Sequence, residues 1–600
     1  MNKNNRKILL AAINAKYIHS NLAVYSLRAY AGQYSRNIKI CEYTINNQVE
    51  DIIDGIYREK PQVVAFSCYI WNIEYVKKLM HELHKLLPQC HIWLGGPEVS
   101  YNTDYYMDSF DYIKGIMVGE GEETFKELAQ LYETVENMND IDKQLDKLAG
   151  IVTHKRHSPL NREPVDISSI PFVYLAYNNQ ENNTGNSGSL DTNLDSFKNR
   201  IIYYESSRGC PYSCSYCLSC IDKKLRFRDM ALVEQELRFF LDKRVPQVKF
   251  IDRTFNCNSE RCAHIWRYIS DNDNGVTNFH FEISSDLLRD EHIDILKSMR
   301  PGLVQLEIGV QSTNEETLRA IRRRMDIGRL REVVKKLCEN KNIHIHLDLI
   351  AGLPYEDIIS FKKSFNDVYN MRPDELQLGF LKVLYGSYMY DDAKKYGIEY
   401  KSFPPYEVLY TDWLTYDDIL KLKRIEEVLE IYYGSGQFVY SVRYLQEHFE
   451  TPYDFYDELG RFYDVSYERE KKHSRIDRYD ILLEFATYIN ANECNVTCID
   501  VRLLGELMTL DIYLRENMKS RPAFAASKES YRQQIKELAR EKGIGKSDHI
   551  EVFTPEVIQY ARDIFSDIKD EISCELMFVR FDYAHRNPVN YNATVSIIGK

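Results

Sequence analysis

The stretch Glu205-Ser-Ser-Arg-Gly-Cys210-Pro-Tyr-Ser-Cys214-Ser-Tyr-Cys217 decides how the rest of this 600-residue chain is read. It begins where an apolar run, 201–205, predicts a strand, and it spaces three cysteines as C-x3-C-x2-C. At that spacing three thiolates can bend around one face of a metal cluster, and thiolates are the preferred ligands of iron–sulfur centres. Three ligands for a four-iron cubane leave one iron open to a substrate or cofactor. A zinc site needs a fourth ligand, for which Cys220 is at hand, but it explains neither the strand nor its context. A disulfide needs an oxidising compartment. Against that, the apolar stretch 8–13 is stopped by Asn14 and Lys16, too short for a signal peptide.

Outward from that stretch, strands are expected at 201–205, 248–251, 279–283, 303–308, 344–349 and 375–380. Helical patterns separate them at 230–243, 260–270, 316–323 and 330–339, so six βα units predict a barrel or partial barrel with its chemistry at the C-terminal rim. Upstream, strands at 7–14, 38–44, 63–69, 91–95 and 112–118 alternate with amphipathic stretches. That pattern predicts a doubly wound parallel sheet with its ligand at the carboxyl ends of the strands. The tract 178–199, rich in Asn, Gly and Ser, reads as a flexible loop. From about residue 400 helices dominate, at 416–433, 476–491, 499–515 and 526–542, and two strand-like runs, 574–583 and 593–598, close the chain. The expected domains are thus 1–147, a connector 148–199, 200–388, and a helix-rich α+β domain 389–600.

Composition narrows the partners. The formal net charge is −13, and residues 401–600 carry 26 Lys and Arg against 35 Asp and Glu. This argues against nucleic acid and anionic membranes. No run of about 18 apolar residues predicts a membrane-spanning helix. Arg322-Arg323-Arg324 reads as a solvated helix end, and Cys494 with Cys498 is too sparse for a metal site.

The cysteine stretch resembles the cluster loop of the radical S-adenosylmethionine (SAM) superfamily, C-x3-C-x-aromatic-C. By that resemblance Cys210, Cys214 and Cys217 hold a [4Fe-4S] cluster, its fourth iron chelates S-adenosylmethionine, and Tyr216 stacks near the adenine. Glu282, Ser284, Glu307, Gln311, Ser312 and Asp348 resemble the positions that hold the cofactor's ribose and carboxylate, and Gly352-Leu353-Pro354 is a familiar signature. At 252–256 the chain reads Asp-Arg-Thr-Phe-Asn where many members carry Gly-Gly-Glu. Asp252 therefore takes the place of a group on the methionine nitrogen, and Asp252 and Cys257 are the candidate catalytic groups.

The first domain resembles the cobalamin-binding domain of cobalamin-dependent members. The resemblance rests on Ser67, Tyr69 and Trp71, on Gly95, Gly96, Pro97 and Glu98, and on Gly119, Glu120, Gly121 and Glu122 at the strand ends. The usual Asp-x-His-x-x-Gly motif is absent; around His19 the loop reads Asn14-Ala-Lys-Tyr-Ile-His19-Ser-Asn21, so no histidine is expected on cobalt. The resemblance implies a cytoplasmic, oxygen-sensitive enzyme, served by a flavodoxin or ferredoxin and acting on a small-molecule or peptide substrate. Reduction of the sulfonium yields a 5′-deoxyadenosyl radical that takes hydrogen from an unactivated carbon, which then accepts a methyl group from methylcobalamin. The alternatives are a rearrangement or ring contraction without methyl transfer, a methylthiotransferase-like enzyme, and a non-catalytic iron–sulfur sensor. The C-terminal region resembles an uncharacterised domain found after this pair.

Overall fold

The computed structural model describes residues 6–175, 194, 197–467, 473–492, 497–565 and 576–599. Most of the Asn/Gly/Ser tract, Cys494 and Cys574 lie outside the described residues, as does the side chain of Cys220. The chain divides into two compact units. One comprises Met1–Ser284, Ile321–Arg323 and Leu381–Leu409; the other comprises Ser285–Ala320, Arg324–Phe380 and Tyr410–Lys600.

The first unit opens with the doubly wound sheet. Its strands are β1 (Ile8–Asn14), β2 (Ile38–Thr44), β3 (Val63–Ser67), β4 (His91–Gly95), β5 (Ile113–Met117) and the short β6 (Ile151–Val152), in the order β2-β1-β3-β4-β5-β6. The first five run parallel, and β6 closes the edge antiparallel to β5. Every residue of β1 is buried, as a central strand covered by helices on both faces requires. Helices Val49–Glu59 and Ile73–Leu86 cover one face through Ile52, Ile56, Val76 and Leu83. Helices Leu22–Tyr30 and Glu122–Thr134 cover the other through Val24, Phe125 and Leu128. The strand order reverses between β1 and β3, and the crevice for a ligand opens at their carboxyl ends.

The same unit holds β7 (Ile202–Tyr204), the hairpin β8 (Ser207–Arg208) with β9 (Arg226–Phe227), β10 (Gln247–Phe250) and β11 (Asn278–Ile283). Strands β7, β10 and β11 are parallel, with β10 between the other two. The second unit supplies β12 (Val304–Gln311), β13 (His344–Ala351) and β14 (Glu375–Phe380), again parallel, with β13 in the middle. These are the six expected βα strands.

After β14 the chain passes through the short strands β15 (Glu399–Tyr400) and β16 (Val408–Tyr410) before the helical C-terminal region. That region holds helices Tyr416–Leu429, Val439–Gln446, Pro452–Ser466, Arg475–Ala491 and Val501–Arg515, and an antiparallel sheet of β17 (His549–Phe553), β18 (Met577–Arg586) and β19 (Ala593–Gly599). Helices Val439–Gln446 and Pro452–Ser466 and strand β17 were not among the expected elements. Tyr453 and Tyr456 of that helix are fully buried core residues. No helix among the described residues is long and apolar enough to cross a membrane.

One C-terminal carboxyl yields a stability prediction. Asp511, in helix Val501–Arg515, is buried and accepts from the backbone N–H of Tyr440 at 3.0 Å, the N–H of Ser441 at 2.8 Å and the Ser441 hydroxyl at 2.5 Å. Burial pushes its pKa up to about 7 against those hydrogen bonds. A folded pKa above the unfolded one gives a contribution that is full below about pH 4 and is lost as pH rises through 7. Asp511→Asn removes that titration, at an effect on the order of a few kcal/mol. The melting temperature of the variant minus that of the wild type is expected to grow from pH 5 to pH 8. A constant difference would show that the carboxyl stays ionised.

Candidate active site

The cysteine loop is fixed at both feet before any thiol is considered. Asp252, just after β10, accepts from the Ser206 N–H at 2.8 Å, the Ser206 hydroxyl at 2.7 Å and the Ser207 hydroxyl at 2.5 Å. It is fully buried, and burial raises its carboxyl to about 6 in spite of those donors. Asp252, the candidate catalytic or cofactor group, fastens the end of β7 to the end of β10. Gly209 follows at φ +95°, and a Cβ there would stand 2.5 Å from the Lys224 carbonyl oxygen. Only glycine lets the two arms of the loop cross. The Cys210 N–H then donates to the Asp222 carbonyl at 3.0 Å, closing the ring.

Within that ring Cys210 and Cys214 are buried and Cys217 is half-buried. Cys210 Sγ lies 3.6 Å from Thr254 Oγ1, and the Ser219 N–H donates to Cys217 Sγ at 3.4 Å. Arg323 Nη1 donates to Cys214 Sγ at 3.7 Å and to the Tyr216 hydroxyl at 3.3 Å. Of the arginine run, Arg322 and Arg324 are exposed, but Arg323 is not part of a solvated helix end. The helix stops at Ala320, Arg322 takes a left-handed conformation at φ +57°, and Arg323 turns inward to the thiols. The Ile321 carbonyl accepts from the Ser215 N–H at 2.9 Å and pins the segment to the loop. Among the described residues no three His, Cys, Asp or Glu side chains converge on a single ion. A cubane does not require that, because each thiolate binds a different corner. Three thiols on one closed loop are the donor set it needs.

The other strand ends carry polar groups in two sets. In the first unit Ser284 and Asn256 clamp β11 to the segment after β10: Asn256 Nδ2 donates to the Ser284 carbonyl at 2.8 Å and accepts the Ser284 N–H at 2.9 Å. Glu282 is half-buried two residues earlier. Burial lifts the Cys257 thiol to about 11, so it rests as a neutral thiol.

In the second unit Glu307 of β12 is in register with His346 of β13, whose Nε2 lies 2.8 Å from Asp348 Oδ1. Burial alone would lower the pKa of His346, but Asp348 outweighs it and raises it. Ser312 is occupied: its hydroxyl donates to Glu356 Oε1 at 2.6 Å, and burial lifts that carboxyl to about 7. Gln311 is different. It is buried, held at φ +73° where β12 shifts register, and its Oε1 has no hydrogen-bond partner. Strain together with an unpaired buried acceptor marks a residue shaped for a ligand.

At the crevice of the first sheet, Tyr69 and Trp71 stack at 4.3 Å with ring planes 7° apart. Trp71 Nε1 donates to the Ile13 carbonyl at 3.3 Å, and Asn72 Nδ2 ties the Ile13 and Ser67 carbonyls together at 3.0 and 2.8 Å. Trp71 is nonetheless 44% exposed. Asn21 Nδ2 donates to the Ser67 hydroxyl at 3.0 Å. Gly96 serves the backbone: at φ +121° its Cβ would meet the Cys68 carbonyl at 2.5 Å. Pro97 starts the short helix that follows. Gly119, at φ +79°, faces open space, and Gly121 abuts Leu27. A flat aromatic face and bare backbone at a switch point fit a large macrocycle.

The carboxylates expected there are engaged elsewhere. Glu98 is buried and accepts from Tyr406 and, at 3.4 Å, from Tyr106. Glu120 accepts from Arg226 at 2.5 and 3.0 Å, and Glu122 accepts from Arg208 at 2.8 Å. Both arginines flank the cysteine loop, so the stretch after β5 braces that loop directly. His19 Nδ1 is 2.6 Å from the Tyr203 hydroxyl.

Comparison with known proteins gives these sites their context. Residues 8–129 match the B12 binding domain, 204–368 the Radical SAM superfamily, and 394–583 a protein family of unknown function, DUF4080. The chain is similar to 2-(S-pantetheinyl)-carbapenam-3-carboxylate methyltransferase of Streptantibioticus cattleyicolor, 26% identical over 383 residues, covering 60% of this chain and 52% of that protein. It is also similar to the cobalamin-dependent radical SAM methyltransferase TokK of Streptomyces tokunonensis, 24% identical over 373 residues with the same coverage. The chain thus spans about half the length of these curated relatives.

Two solved structures share the fold. The radical SAM methyltransferase TsrM of Kitasatospora setae has a TM-score of 0.51 at 14% identity, over 66% of this chain and 78% of that one. The cobalamin-dependent enzyme OxsB has 0.55 at 13%, over 90% and 81%. The two matched domains bring their cofactors, a [4Fe-4S] cluster with S-adenosylmethionine and cobalamin. The chain thus joins, in order, a B12 binding domain, a Radical SAM domain and a domain of unknown function.

Proposed function

We propose that the protein methylates an unactivated carbon of a small-molecule or peptide substrate. The observation that carries this reading is the brace between the two sites: Glu120 and Glu122, at the B12 end of the first sheet, are ion-paired to Arg226 and Arg208 on either side of the cysteine loop. Cofactor chemistries held that close act on one substrate. When bound, the cluster and S-adenosylmethionine supply an electron and a hydrogen-abstracting radical, and cobalamin supplies the methyl group.

The chain's own residues bind and orient. Cys210, Cys214 and Cys217 are the thiolate ligands, on a loop held by Asp252, Gly209 and the two arginines. Arg323 is the half-buried cation beside Cys214 and Tyr216, placed to pair with the carboxylate of S-adenosylmethionine. Glu282 and Ser284 add polar groups at the strand ends of the first unit; in the second, Gln311 offers an unpaired acceptor, and Glu307 and Asp348 stand on β12 and β13. The Tyr69–Trp71 pair and the open backbone at Gly119 receive the corrin. The ten described thiols are free, which suits a reducing cytoplasm and a small flavodoxin or ferredoxin as electron donor.

The test is anaerobic incubation with S-adenosylmethionine, a reductant and candidate substrates. Deoxyadenosine together with S-adenosylhomocysteine supports methyl transfer. Deoxyadenosine alone would sink the methyl transfer, and neither product would sink the enzyme.

For the corrin, Trp71→Ala removes half of an exposed aromatic stack, worth about 1 kcal/mol beyond its buried area. Titration with hydroxocobalamin, followed by absorption, is expected to show roughly tenfold weaker binding. Unchanged affinity would place the corrin elsewhere.

A further inference from the structure

The first unit contains a segment that belongs neither to the sheet nor to the cysteine loop yet is bonded to both. After β14 the chain returns through Leu381–Leu409. At one point its Met389 N–H donates to the Ser215 carbonyl at 2.7 Å, in the middle of the cysteine loop. There too the Arg322 guanidinium lies 4.3 Å above the Tyr388 ring. At another point the Tyr406 hydroxyl donates to Glu98, behind β4 at the B12 end of the sheet. Gly386 seats the segment there: at φ +83° its Cβ would lie 2.4 Å from Tyr101 Cγ, so only glycine admits the Tyr101 ring.

What the segment carries around those two anchors is aromatic. Tyr385 packs against Tyr390 at 4.8 Å and against Tyr406 at 5.2 Å, and Tyr101 and Tyr105 approach from the sheet side. Three of these rings are not buried: Tyr101 is 41%, Tyr105 45% and Tyr390 37% exposed. Lys77, 5.3 Å from the Tyr105 ring, is paired with Glu74 at 2.9 Å, so this cation brings no net charge to the face. Contiguous exposed aromatic surface marks a binding site, and tyrosine gives rigid, amphipathic contact at low entropic cost.

We propose that Tyr101, Tyr385 and Tyr390 form the wall that holds the non-reacting part of the substrate, and that this part is an uncharged flat or fused ring. The assignment rests on the preceding reading that both cofactor sites serve one substrate. It adds that the specificity surface comes from the segment 381–409 and from the loop after β4.

The wall is tested without turnover. The full chain, reconstituted anaerobically and loaded with cobalamin, is titrated with the uncharged fused-ring fluorophore N-phenyl-1-naphthylamine. One saturable site is expected. Tyr390→Ala and Tyr385→Ala each weaken it roughly five- to tenfold, and Tyr390→Phe, which keeps the ring, restores it. Val465→Ser, at an 88% exposed position in helix Pro452–Ser466, leaves it unchanged. Corrinoid absorbance retained by each variant reports that it is folded. Absence of a saturable site, or equal affinity in the alanine variants and wild type, overturns the wall and leaves the proposed reaction standing. Absence of deoxyadenosine in the wild type, with the probe still bound and sensitive to Tyr390, overturns the reaction and leaves the wall.

Discussion

Cys214→Ala is expected to give a protein that stays colourless on anaerobic reconstitution with iron and sulfide and forms no deoxyadenosine. The expectation rests on how little else the substitution touches. The loop around Cys214 is held by backbone: the Cys217 N–H reaches the Cys214 carbonyl at 3.2 Å, and Ser215 bonds to Ile321 and Met389 on either side. None of these bonds needs the thiol. Removing Sγ takes away one acceptor of Arg323, which keeps its contact with the Tyr216 hydroxyl at 3.3 Å. The fold should persist, with cobalamin still retained at the first sheet, while a cubane with two thiolate ligands is lost or replaced by a labile smaller cluster. Iron and sulfide analysis beside the corrinoid spectrum separates these effects. Four irons per chain and unchanged absorption in the variant would remove Cys214 from the cluster.

The parts of this arrangement that are local in sequence were legible, and the parts made by distant segments were not. The runs Ile8–Asn14 and Val63–Ser67 are continuous and apolar because both faces of their sheet are covered, so the parallel sheet shows in the sequence itself. The C-x3-C-x2-C spacing is likewise a short-range signal. Arg323 is the opposite case. Three successive arginines after a helical pattern look like a charged end, and nothing nearby in sequence says that Arg322 adopts a left-handed conformation and aims Arg323 inward.

Glu98, Glu120 and Glu122 carry the same lesson in reverse. Their place at strand ends suggests contact with a ligand, but their partners Tyr406, Arg226 and Arg208 are 86 to 308 residues away. A carboxylate near a ligand crevice and one that braces a neighbouring loop look alike until both segments are placed. Helix Pro452–Ser466 was hidden by its composition. Its start signal is Thr451, whose hydroxyl accepts from the Asp454 N–H, with Pro452 at the first turn.

Arg323→Ala is expected to weaken binding of S-adenosylmethionine about 10- to 100-fold while leaving the iron content intact. The guanidinium is half-buried within the cysteine loop, where a charge is costly unless paired. Its Nη1 donates to the Cys214 thiol at 3.7 Å and to the Tyr216 hydroxyl at 3.3 Å, which aims the charge into the loop. A cofactor that brings a carboxylate to this loop meets that charge in a bidentate fork. Loss of one charge-assisted pair in such a place costs about 1.5–3 kcal/mol, which is the stated range of affinity. Lysine keeps the charge but loses the fork, so Arg323→Lys should fall between alanine and wild type. Equilibrium dialysis of the reconstituted protein against labelled S-adenosylmethionine reads this without turnover. If the alanine variant binds as tightly as wild type, Arg323 serves the loop alone. If it loses iron while the lysine variant keeps it, the guanidinium holds Cys214 in place, and the cofactor's carboxylate must find its cation elsewhere.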